Sequence, residues 1–280
     1  MEVLKAWVDG APILILGGAV ILLMIAAVAI GVVLKRRREF RKDDKEEAEG
    51  EGYVVSGVLG LLALLMGFTF ALAVDRFETR RSLVLDEANT IGTTYLRTQL
   101  LEEPHRSRIS GLLVEYAENR LALGKTDAQR EPERLARNDQ LVVELWAATS
   151  SAFQSIKGLD FSSAYLDSMN ALIDLDASRK AARTVHVPTE VFVILVIYMV
   201  VTAGVLGYVL VGVRGRAAAA FMLLLLSMSL LLIVDIDRPT RGGVREGQGP
   251  MERLVESLKT TPASAYDRFR IEDARPAASR

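Results

Sequence analysis

Arg76, Arg80, Glu87 and Thr94 follow one another at intervals of four, seven and seven residues. On a continuous helix they form one polar stripe. It runs beside an apolar stripe of Val84, Ala88, Ile91 and Tyr95. Two chemistries suit such a pattern. Several copies of the helix could enclose an aqueous passage, with Arg76 and Arg80 at its mouth favouring anions. Glu87 would oppose that preference unless paired with one of them. The same groups could instead form interhelical ion pairs within one subunit. Both readings stand on the sequence alone.

A second polar group lies at the ends of uncharged runs. Asp75 ends one, and Asp235, Asp237 and Arg238 end another. Charges at a membrane edge reach water by snorkelling, so this group suits a junction that fixes where a helix stops. Deeper in lipid the same residues would mark an ion path and a gating role. Glu190 falls in the first turn of a further apolar run, where the helix dipole favours a carboxylate. His186, near Lys180 and Arg183, is a candidate pH sensor or an incidental interfacial residue.

Other chemistries find no support. The chain has no Cys and two His, His105 and His186, far apart in sequence. This excludes disulfides, Cys-ligated metals and thiol nucleophiles, and makes a His-based metal site a poor reading. There is no GxSxG, HExxH, Walker loop or Rossmann fingerprint. The expectation is therefore no enzyme, no cofactor and no metal. A formal net charge of −1 implies no field for nucleic acid.

The elements that must position these residues are read from hydropathy. Half of the 280 residues are hydrophobic and a quarter are charged, which suits a membrane protein with a substantial water-soluble part. Residues 1–12 form a short tail. Residues 13–34 are uncharged and end at a Lys-Arg-Arg-Arg block, 35–38. The run is too long for a signal peptide and its charges follow rather than precede it, so it reads as a retained membrane helix. Residues 35–52 are a charged linker, basic then acidic, whose basic part could also touch anionic headgroups. Residues 53–75 form the second span. About 22 uncharged residues at 1.5 Å each give roughly 33 Å, enough to cross a bilayer core. Gly57, Gly60 and Gly67 within it are weak signals of close helix packing.

Residues 76–187 form a helical soluble domain that continues the second span without a breaker as far as Pro104. Three more helices follow. One starts at Pro104 and carries Ile109, Leu112, Leu113, Tyr116 and Ala117 on its apolar side. The next covers about 131–156, with Val142, Leu145, Trp146, Thr149 and Phe153 inward. After Gly158, the last carries Phe161, Tyr165, Met169, Leu172 and Ile173, with Asp160 as its candidate cap and Pro188 as its limit. Residues 190–213 form the third span, 214–216 a tight turn, and 217–235 the fourth span, which Pro239 keeps from continuing. In the tail, 236–280, residues 251–258 read as a short amphipathic helix and 262–280 as poorly ordered.

Four spans place both termini and the soluble domain on one side. Lys and Arg are nearly balanced across the membrane. The rule weights short loops and the first helix, and there the 35–38 block outweighs Lys5. This favours a cytoplasmic linker and an N-out, C-out arrangement.

The stretch DRFETRRSLVLDEANTIGTTYLRTQLL, with its FTFALAVDR lead-in, the later Val187 and Pro188, and the DIDRPTRGG tail, resembles the bestrophin-like family of bacterial multi-pass membrane proteins. The match runs from about residue 53 to 243. Its specific parts are Glu87, Ala88 and Asn89, then Arg76 and Tyr95, then Asp237, Arg238 and Pro239. The resemblance implies kinship with bestrophins, which are pentameric anion channels. The bestrophin filter and calcium-clasp motifs are absent here. Bestrophins also hold the segment between their second and third spans in the cytosol, opposite to the charge-based orientation.

The expected architecture is all-α, with four transmembrane helices and a helical soluble bundle between the second and third. The resemblance implies a homo-oligomeric channel or transport protein in the bacterial cytoplasmic membrane, passing an inorganic anion. Arg76, Arg80, Glu87, Asn89, Thr94, Asp75, Asp235, Asp237 and Arg238 are its candidate pore or junction residues. The alternatives are a non-conducting scaffold or sensor whose helical domain binds a partner, and an enzyme acting on lipid or cell-envelope substrates.

Overall fold

A computed structural model describes residues 11–39, 48–126, 129–210, 212–238, 243–261 and 263–267. Among them there are helices and no strand. In chain order these are α1 (Ile13–Glu39), α2 (Ala48–Thr98), α3 (His105–Lys125), α4 (Glu131–Ile156), α5 (Phe161–Thr184), α6 (Thr189–Val209), α7 (Gly212–Asp237) and α8 (Gly249–Thr260). A 3-10 turn, Ala263–Asp267, follows. Four helices are long and apolar enough to cross a membrane. The chain divides into two compact units. One holds residues 1–77 and 185–245, the other 78–184 and 246–280.

The first unit contains α1, the apolar half of α2, α6 and α7. Its interior is lined by Met24, Leu62, Met66, Leu195, Met199, Ala203, Leu230 and Ile233. Its outside is as apolar as its inside, with Leu22, Ile25, Leu64, Phe68, Val201 and Phe221 all exposed. In water such a surface would be unstable, whereas lipid tails solvate it. Without a hydrophobic drive between helices, close packing carries more of the association. α1 and α6 achieve it through small residues. A Cβ on Gly31 would stand 2.1 Å from the Gly204 carbonyl oxygen, and one on Gly207 would stand 2.4 Å from the Val28 carbonyl oxygen. Gly57, Gly60 and Gly67 on α2 meet nothing within 4 Å. Close glycine contacts thus join the first and third spans, and the α2 glycines take no part in them.

Several expected boundaries shift. The turn expected at 214–216 is helical. Gly212, at the start of the next helix, adopts φ +78, a left-handed backbone that suits glycine. Accordingly α6 ends at Val209, before residue 213, and α7 begins at Gly212, before residue 217. The linker is shorter than 35–52, because α1 runs on to Glu39 and α2 starts at Ala48. Lys, Arg, Glu and Ala are good helix formers, so a helix need not stop where its apolar run does. The rest of that linker, the first ten residues and Pro239 lie outside the described residues.

The second unit is a bundle of the polar half of α2 with α3, α4, α5 and α8. Val84, Ala88, Ile91 and Tyr95 are buried as the periodicity predicts, against Ile109, Leu113, Tyr116, Leu141, Leu145, Tyr165, Met169 and Leu172. Each large side chain removed from water here stabilises the unit by roughly 1.5–3 kcal/mol. Trp146 departs from expectation. It is 44% exposed, while Leu141, Leu145, Ala148 and Ala152 make the inward face of α4. Its i+4 offset from Val142 put it on the edge of the apolar arc, and the packed stripe lies one residue earlier. The expected helix at 251–258 is present in α8, which buries Met251, Val255 and Leu258. Part of the tail expected to be poorly ordered is held. Arg106, 6% exposed, donates to both Asp267 carboxylate oxygens at 2.8 Å and to the Ala263 carbonyl at 2.8 Å. Tyr266 meets Tyr95 edge-on at 6.2 Å between ring centroids. The other residues expected to be poorly ordered, 262 and 268–280, lie outside the described residues.

Candidate functional site

The second unit is built around charges. Glu87 on α2 is fully buried. So are, to within a few per cent, Tyr116 and Arg120 on α3, Asn138 on α4, and Asp176 and Arg179 on α5. One turn of helix separates Tyr116 from Arg120, and Asp176 from Arg179, so each pair projects from a single face. The Tyr116 hydroxyl donates to Glu87 Oε1 at 3.0 Å, and Arg120 Nε stands 2.7 Å from the same oxygen. Arg179 Nη1 donates to Glu87 Oε2. On the other side, Asn138 Nδ2 donates to Asp176 Oδ1 at 2.7 Å and Arg120 Nη1 donates to it at 3.1 Å. Lys180 Nζ reaches Asp176 Oδ2 at 2.5 Å and Asp139 Oδ1 at 2.5 Å, which carries the network to the surface.

Two buried carboxylates thus face two buried guanidiniums. Removing four charges from water is costly, and the arrangement offsets the cost with close opposite charges and with neutral donors on the remaining oxygen valences. Burial alone would pull the Arg120 guanidinium down, but Glu87, Tyr116 and Asp176 hold it above its ordinary value. Burial, reinforced by the Glu87 carboxylate, pushes the Tyr116 phenol well above 10.0. Tyr116 therefore acts as a neutral donor and Arg120 as a permanent cation.

The polar stripe of the sequence divides accordingly. Glu87 pairs with Arg120 and Arg179, not with Arg76 or Arg80. Arg80 is buried and donates through Nε to Glu246 Oε1 at 2.8 Å. Thr94 is buried, with Oγ1 2.8 Å from the Thr90 carbonyl oxygen and 3.1 Å from that of Ser168. Arg76 is half-buried, and Asn89 and Asp75 are exposed. Sequence reasoning missed Tyr116 as a polar partner, and missed Arg120, Asn138 and Asp176. A signal was present. Arg120 falls seven residues after Leu113, and Asp176 seven after Met169, so both charges sit in the apolar stripes of their helices.

The first unit has its own polar cluster at the end of α7. Asp235 accepts from the Gly243 and Val244 amides at 2.7 and 2.9 Å. Asp237, buried, accepts from the Val187 amide at 3.0 Å, and its Oδ2 lies 3.6 Å from His186 Nδ1. Arg238 donates to the Ala11 carbonyl at 2.9 Å. Three residues at one helix end thus tether residue 11, the approach to α6 and the chain beyond α7. Asp75 makes none of these bonds. His186 faces Asp237, and Glu190 is exposed. No group of His, Asp and Glu able to hold a metal occurs among the described residues.

An all-helical chain with four membrane-length helices, an apolar exterior on one unit and a charge-cored bundle in the other is an α-helical membrane protein. The bestrophin-like domain family matches residues 21–245, and the chain belongs to that family. Its fold is that of crystallised bacterial bestrophin homologues. The bestrophin homolog from Klebsiella pneumoniae is 17% identical with a TM-score of 0.59, the match covering 85% of this chain and 95% of that one. A tryptophan-to-alanine variant of the Klebsiella pneumoniae homolog is 16% identical at a TM-score of 0.60, covering 87% and 95%. An isoleucine-to-threonine variant is 16% identical at 0.62, covering 86% and 97%. No curated protein matches the chain.

Proposed function

We propose that this protein is a homo-oligomeric, channel-type protein of the bacterial cytoplasmic membrane that passes inorganic anions, with no enzymatic activity of its own. The observation that carries the reading is the family membership together with a fold shared over nearly the whole chain. The glycine-bearing face of α2 supports it. A Cβ on Gly57, Gly60 or Gly67 would meet nothing within 4 Å among the described residues, and small residues are where membrane helices approach one another. We assign the α2 glycines to contacts between copies. We assign Arg76, and Asn89 further along the same helix, to the passage, since Arg80, Glu87 and Thr94 are occupied inside the bundle. Asp235, Asp237 and Arg238 are assigned to the junction that sets the end of α7. Asp75, exposed at the end of the apolar half of α2, is assigned to the water-facing rim. We favour N-out, C-out on the short-loop charges.

Native mass spectrometry of the detergent-purified protein tests this reading. A closed ring of about four or more copies is expected, with anion conductance in planar bilayers that falls in Arg76→Gln. A strict monomer removes the partners a multi-subunit passage requires. A second reading, a non-conducting scaffold or sensor whose helical domain binds a partner, draws on the burial of Arg80, Glu87 and Thr94, which leaves few polar side chains on α2 to line a passage. A ring without conductance would favour it.

A further inference from the structure

In the first unit, α1, α6 and α7 enclose a cleft of about 440 Å³, within the roughly 300–1,000 Å³ range of small-ligand sites. Its walls are Ile21, Met24 and Val28 of α1, Leu206 of α6, and Ala220 and Leu223 of α7. Along α1 it extends from Ile21 to Val32, about 16 Å at 1.5 Å per residue. That is the depth of one leaflet, about half of the ~30 Å hydrocarbon core.

One end of the cleft is charged. A smaller cavity of about 100 Å³ shares Val32, Gly207, Leu210 and Arg216 with it and adds Lys35, Arg36 and Gly212. Three cationic residues therefore line the space at one end of an apolar slot, and among the described residues no acidic side chain lines either cavity. Lys35 Nζ stands 5.7 Å from the Tyr208 ring centroid, which directs that ammonium across α6. Gly212 begins the 26-residue α7, whose first turn brings the positive end of its dipole to the same place.

We propose that this cleft holds one anionic phospholipid per subunit, an acyl chain lying between α1, α6 and α7 and the headgroup phosphate resting on Lys35, Arg36 and Arg216. The chemistry is complementary at both ends. A slot one leaflet deep and apolar along its length takes a hydrocarbon chain, and the triple cation selects a negative headgroup over a zwitterionic one. The site does not depend on ion conduction.

Native mass spectrometry of the intact protein, delipidated and then supplied with dioleoylphosphatidylglycerol or dioleoylphosphatidylcholine, tests it. Retention of phosphatidylglycerol roughly tenfold or more above phosphatidylcholine is expected from three cations near a headgroup. The triple variant Lys35→Gln, Arg36→Gln, Arg216→Gln changes side chains at the mouth alone and is expected to retain the two lipids alike. Ala220→Phe fills the slot while leaving the cations, and is expected to lose phosphatidylglycerol. Circular dichroism checks that both variants keep their helicity. Equal retention of the two lipids by the unaltered protein, or undiminished phosphatidylglycerol binding in either variant, overturns the proposal. Displacement of the lipid by millimolar inorganic phosphate alone also overturns it, since the cations would then serve a soluble anion.

Discussion

Glu87 Oε1 and Arg120 Nε stand 2.7 Å apart, with their side chains 0% and 3% exposed. This pair joins the continuation of the second span to the first helix beyond it. Glu87→Gln keeps the shape and removes the charge, leaving Arg120 and Arg179 in the interior without it. Breaking a buried pair from one side costs about 3–5 kcal/mol. Thermal unfolding in detergent, followed at the helical circular-dichroism band, should show a large fall in Tm. A change within error of zero would mean that water reaches Glu87.

The two ends of the network should be coupled. Arg120 touches both Glu87 and Asp176, so single and double replacements, Glu87→Gln and Asp176→Asn, should be non-additive by about 0.5–3 kcal/mol. A double-mutant cycle on denaturation midpoints measures it. Strict additivity would separate the network into two independent pairs.

Tyr116 gives the bundle an alkaline dependence. Its folded-state proton is held well above 10.0, first by burial and then by Glu87, whereas an exposed phenol titrates near about 10. The folded state thus binds the proton more tightly than the unfolded one. The resulting stabilisation is complete below about pH 10 and is lost as pH rises through the folded-state value. Tyr116→Phe should cost about 1 kcal/mol at neutral pH through the lost hydrogen bond. It should also flatten the fall of Tm above about pH 10. An unchanged slope would show that Tyr116 does not set it.

The two sets of membrane glycines should respond oppositely. Gly207→Leu would drive a side chain into the Val28 backbone, where even a Cβ comes within 2.4 Å. Overpacking of this kind costs typically about 1–3 kcal/mol, so Tm should fall in the isolated subunit. Gly60→Ala meets nothing within 4 Å and should leave subunit stability intact. If α2 glycines join copies, Gly60→Leu should lower oligomeric mass by native mass spectrometry.

Asp237→Ala should loosen the approach to α6, because the buried Val187 amide loses its acceptor. An unsatisfied buried donor costs about 1–3 kcal/mol. Hydrogen exchange at 185–187 should accelerate while α3–α5 stay protected. Uniform acceleration throughout the chain would instead indicate global unfolding.

The sequence by itself determined where helices form and which of them lie in lipid. Runs such as 13–34 and 53–74 are long enough to cross a bilayer core without a charge, and the i, i+4, i+7 spacing of Val84, Ala88 and Ile91 leaves one face to bury. Those are local properties, set by residues a few positions apart. It did not decide the partners of Glu87, because Arg120, Asp176 and Arg179 lie on other helices, 33 to 92 positions away in the chain. Nor did it decide that Gly31 meets Gly204 and Gly207 meets Val28 while a Cβ on Gly57 or Gly60 would meet nothing within 4 Å, or that Lys35 and Arg36 of α1 and Arg216 of α7 line one cavity. A helix wheel fixes the direction of a side chain about its own axis. Which neighbour occupies that direction depends on packing between helices far apart in the chain, and only the tertiary structure supplies it.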